Sequence, residues 1–447
     1  MAASTALRSQ RVVTPEGVRA GCVVMQGERI DSISPYEAPP PGATVIDVGE
    51  KYVLPGLVDT HVHINEPGRT DWEGFATATR AAAAGGITTL IDMPLNNLPE
   101  TTSVAALEQK RAAAAGKCLV DYGFWGGVVA DNGQHIAAMA SAGVHGYKCF
   151  LVHPGIEGLT MVTPEELTAA MPEVARTGLP LLAHAELPGP IEAAHLALGD
   201  TLGNQPEWSR YSTYLASRPE AAEVEAIRLL IALSRRFEAR VHIVHLSAAA
   251  ALPDLRAARA EGLPITVETC PHYLHFSSEQ IEDGATDRKC APPIRSAQNR
   301  ELLWGALQAG DIDLIASDHS PCPPEMKQRG AGDFSQAWGG ISSLQLGLSI
   351  VWTGAAQRGI GIGQIAQWMS QAPAELAGIA GRKGRIAAGH DADLVVFDPD
   401  AEFIVEPGLL HHRHPITPYA GTRLRGKVES TWLRGRRVTE QATGVEV

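Results

Sequence analysis

The chain has 447 residues, of which 45% are hydrophobic and 19% charged, and its formal net charge is −13. This is an ordinary globular composition, and an acidic chain without a basic block is a poor candidate for binding nucleic acid or an anionic membrane surface. No apolar run approaches the roughly 20 residues that span a bilayer, and the N-terminus shows no secretory signal.

Both ends of the chain are rich in short β-type runs. Up to residue 54, apolar runs at 9–13, 21–25 and 30–33 are separated by turn sequences. From residue 384 the β character returns, and a hairpin is predicted around Gly435. The economical interpretation is that residues 1–54 and 384–447 form the two parts of one small β-sandwich domain.

Between these parts, in residues 55–383, apolar β-type runs alternate with alanine-rich helical patterns. Eight strands are predicted, at 57–63, 87–93, 119–129, 146–152, 179–184, 240–246, 265–270 and 312–317. Two capping-box patterns, at 163–166 and 217–220, predict helix starts. Eight strands, each followed by a helix, predict an α/β fold of the (β/α)8 barrel type, with a doubly wound sheet as the competing architecture.

Polar side chains stand at the ends of five of these strands, where barrels of this type place their functional residues. His61 and His63 end the first strand and share one face, because strand side chains alternate with a period of two. The complete set of metal-competent residues is His61, His63, Lys148, His184, His245 and Asp318. Alone, each is more simply a buried residue satisfied by a hydrogen bond, but together they predict a metal centre.

Lys148 is the unusual member, because it interrupts an otherwise apolar strand. Burial lowers the pKa of an amine, and a neutral amine can react with carbon dioxide to give a carbamate with two oxygens that could bridge two cations. A lysine that reaches to the strand end, or pairs with an acid, is the alternative. The histidines and the aspartate at neighbouring strand ends favour the carbamate.

Three further histidines compete for a place in the site. His242 lies three residues before His245 and faces the opposite side of the strand, so it is predicted to be structural. His319 alternates to the face opposite Asp318, and His272 is predicted to pack near the mouth. Asp318 itself could be a turn cap.

These residues, together with four sequence segments, resemble the cyclic amidohydrolases, which include dihydroorotases, hydantoinases or dihydropyrimidinases, and allantoinases. The segments are HVHINEPGRTDWEGF at 61–75, KCAPPIR at 289–295, SDHSPCPPEMK at 317–327 and AWGGI at 337–341. The resemblance covers residues 9–437 and is strongest to the allantoinase group. Dihydroorotases usually carry an arginine for the substrate carboxylate where this chain has Asn65, which suits allantoin, a substrate with a ureido group and no carboxylate.

The resemblance implies two divalent metal ions per subunit, most often zinc, bridged by a carbamylated lysine and a hydroxide. The implied ligands are His61, His63 and Asp318 for one ion, His184 and His245 for the other, and Lys148, as N6-carboxylysine formed from carbon dioxide or bicarbonate, for both. The hydroxide would attack the hydantoin ring carbonyl, and Asp318 would carry its proton to the leaving ring nitrogen. This reaction opens allantoin to allantoate.

Substrate contacts are expected at Asn96, Cys290 and Ala291, although Asn96 could equally be a turn residue. The resemblance also implies a homotetramer. The six cysteines are scattered without a Cys-x-x-Cys pair, which predicts a reducing, cytoplasmic setting. Two other functions stay open: a hydrolase of hydantoins or dihydropyrimidines, and a non-catalytic protein on the same scaffold.

Overall fold

Eight short parallel strands form a barrel in the computed structural model, which describes residues 4–156, 158–199, 206–441 and 443–447. The strands are Leu57–Val62, Ile87–Asp92, Asp121–Phe124, Tyr147–Phe150, Leu181–His184, Val241–Ile243, Ile265–Thr269 and Leu314–Ile315. A short strand, Gly126–Gly127, links the third strand to the fourth, and a bridge between Val62 and His319 closes the ring. Both faces of the strands are buried, which explains their apolar sequences. The prediction of a (β/α)8 barrel is confirmed.

Helices cover the outside of the barrel, and short helices also lie in the connections between its strands. They are Phe75–Ala84, Val104–Ala114, Gly133–Ser141, Pro164–Thr177, Pro188–Ala197, Tyr211–Ser217, Glu220–Phe237, Leu252–Ala260, Pro271–His275, Ala297–Ala309, Pro324–Lys327, Gly347–Gln357, Ile362–Ala366 and Ala372–Leu376. In the described parts of the chain, no helix combines the length and the apolar character needed to cross a membrane.

The two predicted capping boxes have different outcomes. At Thr163 the box is present: its hydroxyl accepts from the backbone N–H of Glu166 at 3.2 Å, and the Glu166 carboxylate accepts from the Thr163 N–H at 2.8 Å. At Ser217 the prediction is wrong. Ser217 ends the preceding helix and donates its hydroxyl to the Tyr214 carbonyl, so the next helix begins at Glu220 without a side-chain cap.

The two chain ends combine into one eight-stranded sheet beside the barrel. Its strands are Ser4–Thr14, Gly17–Gln26, Arg29–Ser34, Thr44–Asp47, Tyr52–Pro55, Leu394–Ile404, Arg423–Leu433 and Arg436–Arg437. Antiparallel pairing of Leu394–Ile404 with Tyr52–Pro55 joins the N-terminal strands to the C-terminal ones. The prediction that both ends build one small β-domain is therefore confirmed, while the boundaries 1–54, 55–383 and 384–447 stay a prediction.

Candidate metal centre and active site

The six side chains predicted to bind metal lie together at the carboxyl ends of the barrel strands. All but Lys148 line one cavity of about 320 Å³. One carboxylate oxygen of Asp318 lies 3.3 Å from His61 Nε2 and 3.5 Å from His63 Nε2. The His184 and His245 rings lie opposite, with their centroids 4.6 Å apart. The sequence-predicted set is thus brought together, and its role as a metal site stays a prediction.

Lys148 lies at the floor of this group and is fully buried. Its Nζ lies 4.9 Å from the centroid of the Phe150 ring, on which the His184 ring stacks at 4.8 Å. Among the described residues, this amine has no hydrogen-bond partner. Burial lowers the pKa of Lys148 to about 8, which raises the fraction of reactive neutral amine at neutral pH.

The backbone turns sharply where the site residues leave their strands. Asn65, Asn96, His245 and Asp318 all have a positive φ, between 41° and 68°. Non-glycine residues in this left-handed region cost about 1–3 kcal/mol each and persist only where the surroundings impose them, often at functional sites. Asn96, His245 and Asp318 line the cavity, which indicates a site whose geometry is maintained at the expense of local stability.

Two buried glutamates behind the cavity orient the histidines. Glu268 accepts hydrogen bonds from His61 Nδ1 and, at 3.0 Å, from His242 Nε2, so that His61 presents its Nε2 to the cavity. Glu186 lies 2.7 Å from His184 Nε2, which leaves the Nδ1 of that ring for the cavity. Carboxylates in this position fix the tautomer and orientation of metal-binding imidazoles.

Electrostatics keeps the ligands in forms that can bind a cation. Burial lowers the pKa of His63 to about 4 and that of His245 well below its usual value, so both rings are neutral at neutral pH. Burial alone would raise the pKa of Asp318, but the neighbouring His61 and His63 outweigh it and lower the pKa to about 2. Metal ligands must be deprotonated. Neutral imidazoles, an ionised carboxylate and an unpartnered buried amine fit divalent cations.

Another group of potential ligands adjoins the first. The ligand atoms of Cys270, His272 and Asp318 lie within 4.8 Å of one another, as do those of His61, His63 and Asp318. Neither ring nitrogen of the buried His272 has a hydrogen-bond partner within the described chain. Because Asp318 is common to both groups, the second is an extension of the same site. His319 lies in a layer behind it, with Nε2 3.3 Å from Glu73.

The residues predicted to contact substrate are placed differently from one another. Asn96 and Ala291 line the cavity, and the side-chain oxygen of Asn96 is buried without a partner among the described residues. Cys290 is buried and does not line the cavity. Its carbonyl accepts a hydrogen bond from the Tyr214 hydroxyl at 2.7 Å. Of these predicted contacts, Asn96 and Ala291 therefore lie in the cavity wall, and Cys290 does not.

Three tyrosines hold the segment that contains Ala291. Their hydroxyls each donate to a carbonyl at 2.7 Å: Tyr214 to Cys290, Tyr273 to Pro292 and Tyr211 to Ile294. No hydrogen bond within the described chain uses the carbonyl of Ala291. These hydrogen bonds fix the position of the segment and leave the Ala291 carbonyl available as an acceptor.

The chain is similar over most of its length to proteins of known function. The sequence profile of the amidohydrolase family matches residues 52–438. The allantoinase of Streptomyces avermitilis is 50% identical, over 97% of this chain and 94% of that protein, and the allantoinase of Arabidopsis thaliana is 45% identical, over 97% and 87%. The solved structure of L-hydantoinase (dihydropyrimidinase) from Arthrobacter aurescens has a TM-score of 0.92 at 30% identity and covers 99% of both chains. The chain belongs to the amidohydrolase family and groups there with the allantoinases.

Proposed function

We propose that this protein hydrolyses the hydantoin ring of allantoin to give allantoate. The observation that carries the proposal is the convergence of four histidines and Asp318 at one cavity, with the unpartnered Lys148 buried next to the Phe150 ring on which His184 stacks. The similarity to allantoinases over nearly the whole chain supports the choice of ring. A hydantoin ring alternates N–H and C=O groups along its edge, which suits a wall with one free carbonyl and one unpartnered amide.

We propose two divalent cations, with zinc as the expected metal. His61, His63 and Asp318 would hold one, His184 and His245 the other, and Lys148 would bridge them. For this the neutral Lys148 amine attacks the carbon of carbon dioxide and loses one proton, which gives a carbamate anion. Bound there, the cations would lower the pKa of water and polarise a carbonyl oxygen. Nitrogen and oxygen ligands also suit cobalt, manganese or iron, so the metal is a matter for elemental analysis.

The protein's own residues would guide the proton and the ring. Asp318 is ionised at neutral pH and lies at the mouth of the ligand group, so it can accept a proton from the attacking water and return it to the leaving ring nitrogen. The Ala291 carbonyl would accept a ring N–H, and Asn96 would bind the opposite side of the ring. These contacts would hold the scissile carbonyl beside Asp318.

A substrate panel tests the proposal. Purified protein, supplied with zinc and bicarbonate, should hydrolyse allantoin with a kcat/KM well above that for 5-substituted hydantoins or dihydrouracil. Faster turnover of either alternative would make the protein a hydantoinase or dihydropyrimidinase instead. Absence of both bound metal and activity after this treatment would support a non-catalytic scaffold. Asp318→Asn serves as the matched inactive control.

We also propose a homotetramer and a cytoplasmic setting. The tetramer rests on the family resemblance, and a molar mass measured in solution tests it. The setting is supported by the six cysteines, which are all buried and free. Tagged full-length protein recovered in an organelle or secreted fraction would contradict it.

A further inference from the structure

The cavity has a cationic wall that the proposed ring opening does not use. Among the described residues, three lysine or arginine side chains line it: Arg218, Lys289 and Arg329. Arg218 is committed to Glu186 through two hydrogen bonds, and Arg329 is exposed. Lys289 is partly buried, and among the described residues that line the cavity Asp318 is the one carboxylate. Burial, together with the charges of Lys327 and Arg218, lowers the pKa of Lys289 to about 7, so its amine is only partly protonated at neutral pH, and a ligand acceptor would favour the ammonium form. Of the three, Lys289 alone is neither paired with a carboxylate in the described chain nor exposed.

The amine of Lys289 is held in place by weak partners. Its Nζ donates to the Ala337 carbonyl at 2.6 Å and reaches the Ser335 carbonyl at 3.5 Å, and it lies 5.3 Å from the centroid of the Tyr214 ring. Its hydrogen bonds within the described chain go to neutral backbone carbonyls. A lysine ammonium has three N–H donors, so at least one remains for the cavity.

Lys289 also lies beside the wall segment that is proposed to hold the ring. A Cβ atom added at Gly339 would lie 3.8 Å from Lys289 Cε and 4.0 Å from Ala291 Cβ, so both side chains flank the same glycine. A ligand ring bound at Ala291 would therefore have the amine next to it. This is where a substituent on the ring would extend.

We infer that Lys289 determines specificity by donating a hydrogen bond to the carbonyl oxygen of the ureido group that the substrate carries outside its ring. The inference rests on the proposed function, because it places the hydantoin ring at Ala291. A plain hydantoin lacks the ureido group and leaves the Lys289 donor without a ligand partner. The site therefore favours a ureido-substituted ring, since the ureido carbonyl gives the Lys289 donor an acceptor that hydantoin does not offer at that position.

The neighbouring Lys327 provides the matched control. It is buried, and its amine donates to the carbonyls of Thr286, Lys289 and Trp338 at 2.9–3.2 Å, which uses all three donors within the protein. Lys327 does not line the cavity. It fastens the same wall without contact to the ligand.

The experiment compares wild type, Lys289→Met and Lys327→Met as zinc-loaded proteins, with allantoin and hydantoin as ligands. Hydantoin is measured as a substrate or, where its turnover is too slow, by its inhibition constant against allantoin hydrolysis. Lys289→Met should lower kcat/KM for allantoin about 10- to 100-fold and change the hydantoin value by less than about twofold, with unchanged metal content. Lys327→Met should weaken the interaction with allantoin and with hydantoin to a similar extent.

Equal losses for both ligands in Lys289→Met would overturn the inference and make Lys289 a structural tie, and no loss would overturn it as well. If Lys289→Met does not fold, Lys289→Leu, which also lacks an N–H donor, should give the same selective loss. Wild-type protein that does not hydrolyse allantoin would instead refute the proposed function, and the inference with it. The two failures are therefore distinguishable.

Discussion

Two buried lysines lie at opposite ends of the barrel and have opposite surroundings. Lys383 lies between the barrel and the β-domain, where its Nζ is 2.6 Å from Asp121, 2.6 Å from Asp393 and 3.0 Å from Asp391. Asp121 begins the third barrel strand, so this cluster is at the amino end. Lys148, at the carboxyl end, has no hydrogen-bond partner among the described residues.

The two surroundings shift the pKa values of the two amines in opposite directions. Burial alone would lower the pKa of Lys383, but Asp393 and Asp121 outweigh it and raise the pKa. Burial lowers the pKa of Lys148 to about 8, because the nearby charges of Glu268 and Asp318 offset the burial only in part. The three aspartates also lie close enough to hold a cation, and the Lys383 ammonium supplies that charge. A partnered buried amine thus fastens two domains, whereas an unpartnered one is available for chemistry.

The largest expected effect comes from removing the unpartnered amine. Lys148→Ala should lower kcat for allantoin roughly 10³-fold or more, because a ligand that works as part of a unit disables the whole unit when it is lost. A short carboxylic acid with bicarbonate should partly restore activity by occupying the space left by the side chain. Lys148→Met fills this space and is the control that the acid should not rescue. Undiminished activity in Lys148→Ala would refute the carbamate bridge.

The partnered amine should behave in the opposite way. Lys383→Met leaves the buried Asp393 without an ion-pair partner in the described chain, while Asp121 keeps Arg434 and Asp391 keeps Arg382. The free energy of unfolding should therefore fall by about 3–5 kcal/mol. The folded fraction should keep its metal content and its kcat, since the cluster lies at the far end of the barrel. Denaturant titration measures the first quantity and steady-state kinetics the second. A large loss of kcat at unchanged stability would remove the distinction between the two lysines.

Much of this comparison could be predicted from the sequence, because local runs of apolar residues reveal where the strands lie and where they end. The apolar runs marked the barrel strands, and Lys148 was visible as a charge inside one of them. Boundaries were less accurate: the sixth strand was expected at 240–246 and is Val241–Ile243, because His245 already has a left-handed backbone. The interpretation of Asn65 also changes, since it is buried, its amide lies 3.4 Å from the Pro321 carbonyl, and it does not line the cavity.

Partners that are distant in sequence could not be predicted. Glu268 lies 207 residues from His61, and only the closed barrel brings the carboxylate to the imidazole. A local signal did exist, because Glu268 interrupts a buried strand as Lys148 does. The sequence could not indicate which of these two buried charged side chains, Glu268 or Lys148, has hydrogen-bond partners in the folded protein. That depends on residues from three or more elements meeting at one point.

Substitution of Glu268 should have an effect of intermediate size. Glu268→Gln keeps the shape but weakens the hold on the His61 tautomer, so metal affinity should fall about 10- to 100-fold. Zinc content after dialysis against a graded chelator series measures this directly. Glu223→Gln is the control, because Glu223 is equally buried but binds Arg295 and the backbone of Ser247 and Ala248. Equal zinc loss in both variants would reduce the role of Glu268 to general stability.

The smallest expected effect concerns two neighbouring backbone carbonyls, one with a hydrogen-bond partner and one without. In the segment 290–294, the Cys290 carbonyl is held by Tyr214, whereas that of Ala291 has no hydrogen-bond partner in the described chain. Tyr214→Phe removes one hydrogen bond from the wall, so KM for allantoin should rise about 2- to 10-fold while kcat and zinc content stay near wild type. Tyr211→Phe loosens the far end of the segment and should raise KM less. If kcat fell instead and KM were unchanged, the segment would act on the chemical step, and the fixed position of the segment would no longer explain why the Ala291 carbonyl is left free.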